Sequence, residues 1–73
     1  MSPADIPQDR LIKLEEVKRR VGLGKSMIYQ LIKAGRFPAP YKLSPFTSRW
    51  SESEVTRWIA EVKDGVEGRR RKI

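Results

Sequence analysis

Val21-Gly22-Leu23-Gly24-Lys25-Ser26-Met27-Ile28-Tyr29-Gln30-Leu31-Ile32-Lys33-Ala34-Gly35 is the stretch that decides the fold. Ile28, Leu31 and Ile32 recur at i, i+3, i+4 and mark the buried stripe of a helix. Gly24 can cap its start, Gly35 suits its C-terminal turn, and Pro38 follows just beyond. Upstream, Leu14, Val17 and Val21 fall on one face of an earlier helix. Glu15 and Glu16 lie in its first turn and Lys18, Arg19 and Arg20 near its end, the order the helix dipole favours. Gly22 stops it. Two short helices joined by Gly22-Leu23-Gly24 form the helix-turn-helix pattern.

Downstream, Phe37-Pro38-Ala39-Pro40 is stiff and non-helical. Tyr41-Lys42-Leu43 and Ser48-Arg49-Trp50 read as short strands around the connection Ser44-Pro45-Phe46-Thr47. Pairing Leu43 with Ser48 sets Lys42 opposite Arg49 and Tyr41 opposite Trp50. The aromatic pair then faces the core and the two cations lie together outside. Like charges held opposite one another suggest a surface offered to an anion, such as a wing along a phosphate backbone. Ser51-Glu52-Ser53-Glu54 is a capping box, with Ser51 as N-cap and Glu54 reaching back. Val55, Trp58, Ile59 and Val62 continue it as an apolar stripe, and Gly65 ends it. The expected fold is mainly α: a small winged helix-turn-helix with helices at about 14–21, 25–34 and 52–63 and a β-hairpin at about 41–50. Residues 1–9, with Pro3 and Pro7, read as a flexible leader, 10–64 as the domain, and 65–73 as a basic flexible tail. The expected core draws on Leu11, Leu14, Val17, Val21, Leu23, Ile28, Leu31, Ile32, Leu43, Trp50, Val55, Trp58 and Ile59.

Composition narrows the function. Seventy-three residues make one small domain. The absence of Cys and His removes disulfides, thiolate nucleophiles, Cys/His zinc sites and His general bases. No apolar run approaches the roughly 20 residues of a membrane span. The net charge of +7 is unevenly placed. Residues 10–50 hold ten basic side chains against Glu15 and Glu16, whereas residues 51–64 are net acidic. Arg69, Arg70, Arg71 and Lys72 form a second basic cluster. A field of this kind attracts polyanions.

Gly22-Leu23-Gly24-Lys25-Ser26 has the ending of a nucleotide-binding loop, but the first glycine of that motif would fall on Arg19 and a helix replaces the preceding strand. Neither Glu15/Glu16 nor Glu52/Glu54 forms a general acid/base pair, so no enzyme and no cofactor is expected. On the second helix, the face opposite Ile28, Leu31 and Ile32 carries Ser26, Tyr29, Gln30 and Lys33, with Lys25 alongside. These residue types contact base edges and phosphates. Lys18, Arg19 and Arg20 near the turn, together with Arg36, Lys42, Thr47 and Arg49 on and around the hairpin, are candidate backbone contacts. Arg69, Arg70, Arg71 and Lys72 are candidate non-specific contacts.

Arg10 to Val17, Val21 to Tyr29, Gly35 to Pro40, Lys42-Leu43, and Trp50, Glu54, Val55, Trp58 and Ile59 together resemble the AlpA family of phage and prophage regulators. The similarity covers about residues 10–62. It implies a MerR-like winged helix-turn-helix that binds double-stranded DNA in the bacterial cytoplasm, at the nucleoid, and activates integrase or other mobile-element genes. Lys25, Ser26, Tyr29, Gln30 and Lys33 then belong to the recognition helix, and Lys42 to Arg49 form the wing. Relatives acting as excisionases that bend attachment-site DNA supply an alternative, and a protein-interaction module with a basic face is a second. A further copy of the chain, an integrase or an RNA polymerase component is a candidate protein partner. The chain departs from many members at Gly24, where they carry Ser, and at Phe46, where they carry Arg.

Overall fold

The computed structural model describes the backbone of residues 8–70 and the side chains of residues 8–65. Most of the expected leader, and Arg71 and Lys72 of the tail, lie outside the described residues, as do the side chains of Arg69 and Arg70. The chain forms β1 (Leu11–Ile12), α1 (Leu14–Val21), α2 (Lys25–Lys33), β2 (Tyr41–Ser44), β3 (Thr47–Ser51) and α3 (Glu52–Arg70). The three strands make one antiparallel sheet in the order β1-β3-β2.

Local chemistry sets the helix-turn-helix. At the end of α1, Gly22 adopts φ 71° and its N–H donates to Lys18 O at 2.8 Å. A side chain at such a left-handed position is strained, so glycine is the residue that stops the helix cleanly. At the end of α2, Gly35 (φ 73°) donates to Ile32 O at 3.0 Å and Arg36 N–H donates to Leu31 O at 2.8 Å. That pair of bonds is a Schellman motif, which satisfies the last carbonyls of α2 and turns the chain outward. Both helices match the expected spans to within a residue.

The core is Ile12, Val17, Ile28, Phe37, Trp50 and Val55, with Leu14, Val21, Leu23, Leu31, Ile32, Trp58 and Ile59 packed around it. Two of the expected core residues are outside it: Leu11 and Leu43 are exposed. Phe37, absent from the expected list, is buried and meets Trp58 edge-on, with centroids 4.8 Å apart. Each tryptophan also anchors the loop after α2. Trp50 Nε1–H donates to Pro38 O at 3.1 Å and Trp58 Nε1–H donates to Arg36 O at 2.7 Å. The buried indole of Trp50 and the half-buried indole of Trp58 thereby tie this loop to β3 and α3.

The hairpin differs from expectation by one residue over most of its length. Ser44 pairs with Thr47, which agrees with the expected register at the tip. A bulge at Leu43 then shifts the strands, so Lys42 faces Ser48 and Tyr41 faces Arg49. The connection is the two residues Pro45-Phe46, not four. Because side chains alternate with period two, one bulge inverts every face beyond it. The Lys42–Arg49 like-charge pair does not form, and Tyr41 is half-exposed instead of packed in the core. On the other edge of β3, Trp50 pairs with Ile12 of β1.

The third helix begins as expected but is capped differently. Ser51 Oγ accepts from Glu54 N–H at 3.1 Å, as an N-cap does. Glu54 does not complete the box; its Oε2 accepts from Tyr41 O–H at 2.6 Å. Asp9 takes over, accepting from Ser53 N–H at 3.0 Å and from Ser51 O–H at 2.6 Å. The helix also passes through Gly65 and Gly68 to Arg70, beyond the expected stop at Gly65. An interior glycine costs a helix only about 1 kcal/mol, and no proline follows to break it.

Candidate nucleic-acid interface

The buried stripe of α2 fixes its rotation, and so decides which side chains reach solvent. Ile28 is fully buried and Leu31 and Ile32 are partly buried. Lys25, Ser26, Tyr29, Gln30 and Lys33 are all exposed, together on the outer side as expected. The helix contains no acidic residue, and among the described residues neither lysine takes part in an ion pair. Its outer face is thus a cationic, hydrogen-bonding surface with its charge uncompensated. Met27, which the sequence pattern did not single out, is also exposed and adds apolar surface to this helix.

Tyr29 is held, not free. Its ring stands edge-on to Trp50, with centroids 6.1 Å apart and an interplanar angle of 72°. Edge-to-face aromatic pairs of this kind contribute about 0.5–1.5 kcal/mol beyond area burial. Through Trp50, the α2 face is packed against β3 and is fixed relative to the wing.

The candidate backbone contacts divide. Arg19 is exposed and has no ion pair among the described residues. Lys18 Nζ lies 3.8 Å from Glu15 Oε1, an exposed i,i+3 pair that a stronger anion could replace. Arg20, also exposed, has partners within the fold. Its guanidinium contacts Glu16 Oε2 at 3.3 Å, Thr56 Oγ1 at 3.4 Å and Glu52 Oε2. Arg10 completes this cluster, with Nε 3.1 Å from Glu52 Oε1 and Nη2 3.0 Å from Glu16 Oε2. Two arginines and two glutamates thereby clasp β1, α1 and α3 together. The Glu52 hydrogen bond and charge keep the Arg10 guanidinium even more firmly protonated than usual, and Arg10 in turn holds the Glu52 carboxyl below its ordinary range. No single segment contains this clasp, so only the tertiary fold exposes it.

On the wing, Lys42 is exposed, its Nζ 3.5 Å from Pro45 O. Thr47 and Arg49 are half-buried; Thr47 Oγ1 accepts from Ser44 O–H at 2.8 Å and Arg49 Nη1 donates to Ser48 O at 2.9 Å. Arg36 is exposed, in a groove it shares with Phe37 of the same loop and Glu54, Arg57 and Trp58 of α3. The Tyr41 hydroxyl's bond to Glu54 raises its pKa. Among the described residues no cluster of His, Cys, Asp and Glu could hold a metal ion. No helix among them is long and apolar enough to cross a membrane.

A helix-turn-helix whose second helix presents a cationic outer face, flanked by a two-stranded wing, defines a small winged helix-turn-helix domain. Residues 10–63 match the family model of the prophage CP4-57 regulatory protein AlpA, and the chain belongs to that family of phage regulatory proteins. It is also similar to the uncharacterized protein ORF88 of Enterobacteria phage P4, 43% identical over 56 residues. That match covers 77% of this chain and 64% of ORF88, so the chain spans just under two-thirds of its relative's length. No solved structure gives a significant match.

Proposed function

We propose that this chain binds double-stranded DNA in a sequence-specific manner and regulates, as an activator, the genes of a phage or related mobile element. The α2 face of Lys25, Ser26, Tyr29, Gln30 and Lys33 enters the major groove. Gln pairs bidentately with adenine edges and Lys hydrogen-bonds guanine, while Ser and Tyr reach phosphates. Lys42, Thr47 and Arg49 follow the adjacent backbone, with Lys18 and Arg19 on phosphates at the other end of the turn. The tail of Arg69, Arg70, Arg71 and Lys72 adds affinity without selecting sequence.

The observation that carries this reading is the uncompensated outer face of α2, held in place by the Tyr29–Trp50 contact. A protein-interaction module would not need base-reading side chains on a helix fixed against a wing. Selection of bound duplexes from a random library tests it. A recovered motif that fades in Gln30→Ala and Lys33→Ala supports the reading. Binding without sequence preference, indifferent to both substitutions, overturns it.

A further inference from the structure

Phe46 stands at the tip of the wing with 96% of its surface exposed, and Leu43 beside it is 56% exposed. A phenyl ring left in water is unfavourable, and here it is not alone: Tyr41, Leu43 and Phe46 of one short hairpin all expose apolar surface, the grouping that marks a contact surface. The tip is also braced. Pro45 restricts the backbone before Phe46. Phe46 N–H donates to Ser44 Oγ at 3.3 Å, and Ser44 O–H donates to Thr47 Oγ1 at 2.8 Å. The bulge at Leu43 sets that side chain on the exposed side of an edge strand whose residues are all exposed.

The surroundings indicate what the ring meets. Residues 35–51 include Arg36, Lys42 and Arg49 and no acidic residue. Lys42 and Arg49 lie behind the tip on the two strands of the wing. The complementary surface is apolar at its centre and anionic at its rims. A base-pair step seen from the minor groove has that form: stacked rings between sugar walls, with a phosphate chain on either side. Phe, Leu and Pro are among the side chains that proteins insert there.

We propose that Phe46 is a wedge that enters the minor groove, separates two stacked base pairs and kinks the duplex, with Leu43 and Pro45 against the sugars and Lys42 and Arg49 on the flanking phosphates. This rests on the reading of the chain as a DNA-binding protein and adds a deformation to it. Unstacking is easiest at TA and CA/TG steps, so the wedge also selects sequence at a position that no hydrogen bond reads.

The test uses the full chain and the duplex recovered by library selection. Dyes at the two ends report bending, and 2-aminopurine placed at successive adenines reports unstacking. The parent chain at saturation brightens 2-aminopurine at one step and brings the ends together. Phe46→Leu keeps much of both signals. Phe46→Ala loses both and binds about tenfold more weakly, a loss of one wedge contact. Phe46→Arg loses both while holding affinity through phosphate contacts, which separates the kink from simple attraction. Because the ring touches little of its own domain, thermal melts of all three variants match the parent. An undiminished bend in saturated Phe46→Ala overturns the wedge while leaving DNA binding intact. So does a parent dimer in sedimentation that Phe46→Ala dissolves, because the ring then meets a second copy. Failure of the parent to prefer any duplex removes the DNA-binding reading and the wedge with it.

Discussion

Asp9 and Ser51, 42 residues apart, are joined by a 2.6 Å hydrogen bond from the Ser51 hydroxyl to Asp9 Oδ2. The other carboxylate oxygen, Oδ1, accepts from Ser53 N–H at 3.0 Å and Arg10 N–H at 2.8 Å. One carboxylate thus completes the N-terminus of α3 and draws the start of the domain onto it. A negative group at that end also complements the helix dipole.

Those bonds predict how stability responds to acid. The Ser51 hydroxyl and the Ser53 and Arg10 amides favour the ionised form and hold the Asp9 pKa at about 2, against an ordinary 3.8. A depressed folded-state pKa gives stabilisation that is complete above pH 3.8 and is lost as pH falls towards about 2. Melting temperature followed by circular dichroism should therefore fall more steeply over that window in the parent than in Asp9→Asn. Parallel profiles for the two proteins would remove Asp9 from the account of acid sensitivity. At neutral pH, Ser51→Ala should cost about 1 kcal/mol in urea denaturation, the usual loss for an N-cap hydroxyl.

Arg19 and Arg20 are adjacent in sequence and differ in their surroundings: Arg20 has ion-pair partners, and Arg19 has none among the described residues. Arg20→Ala removes contacts to Glu16, Glu52 and Thr56, so it should lower the melting temperature. It should leave the salt dependence of DNA binding almost unchanged. Arg19→Ala, with no such partners, should change stability by less than about 0.5 kcal/mol. It should flatten the plot of log binding constant against log salt by about one unit of slope, as one lost phosphate contact does. Salt titrations and thermal melts of the two variants separate the roles, and an exchange of the two outcomes would reverse the assignment.

How much of this was legible depends on how local the determining chemistry is. The helix-turn-helix was readable because Gly22 and Gly35 act within one turn of the helices they end. The outer face of α2 followed from the same periodicity that buries Ile28. The hairpin was readable as two strands around a Pro45-Phe46 tip, but its register was not, because a bulge at Leu43 leaves no signal in the alternation of side chains. The capping box was half readable: Ser51 is the N-cap, but Glu54 is taken by Tyr41, and Asp9 supplies the second acceptor at the helix start. Long-range polar partners leave no local spacing to recognise. The partners of Arg20 were hidden for the same reason, since Glu52 and Thr56 are distant in sequence.

Trp50 connects the core to the α2 face, and its replacement should be felt in both. The indole is 1% exposed, donates to Pro38 O and makes a T-shaped contact with Tyr29. Trp50→Phe keeps an aromatic ring but leaves the Pro38 carbonyl without its donor, which costs about 1–3 kcal/mol when a group stays buried. Urea denaturation measures that loss. Discrimination between the selected duplex and a scrambled one should also decline, because Tyr29 loses its anchor. Unchanged discrimination in a destabilised variant would show that the α2 face does not depend on this contact.

Base reading and simple attraction can be separated along the chain. Gln30→Ala and Lys33→Ala change side chains on the fixed outer face of α2, where one lost base contact reduces discrimination by about 1–3 kcal/mol. Their effect should be confined to the base pair each reads, visible as a relaxed position in the selected motif. Replacing Arg69, Arg70, Arg71 and Lys72 with Ala removes four cations from the end of the chain. That change should weaken selected and scrambled duplexes alike and reduce the salt slope by up to about 4, near one unit per phosphate released. A tail variant that lost discrimination, beside helix variants that kept it, would move recognition from α2 to the C-terminal cluster. The proposed function implies the opposite outcome, because α2 is anchored through Tyr29 to the buried Trp50 and sequence discrimination needs donors and acceptors held at fixed positions.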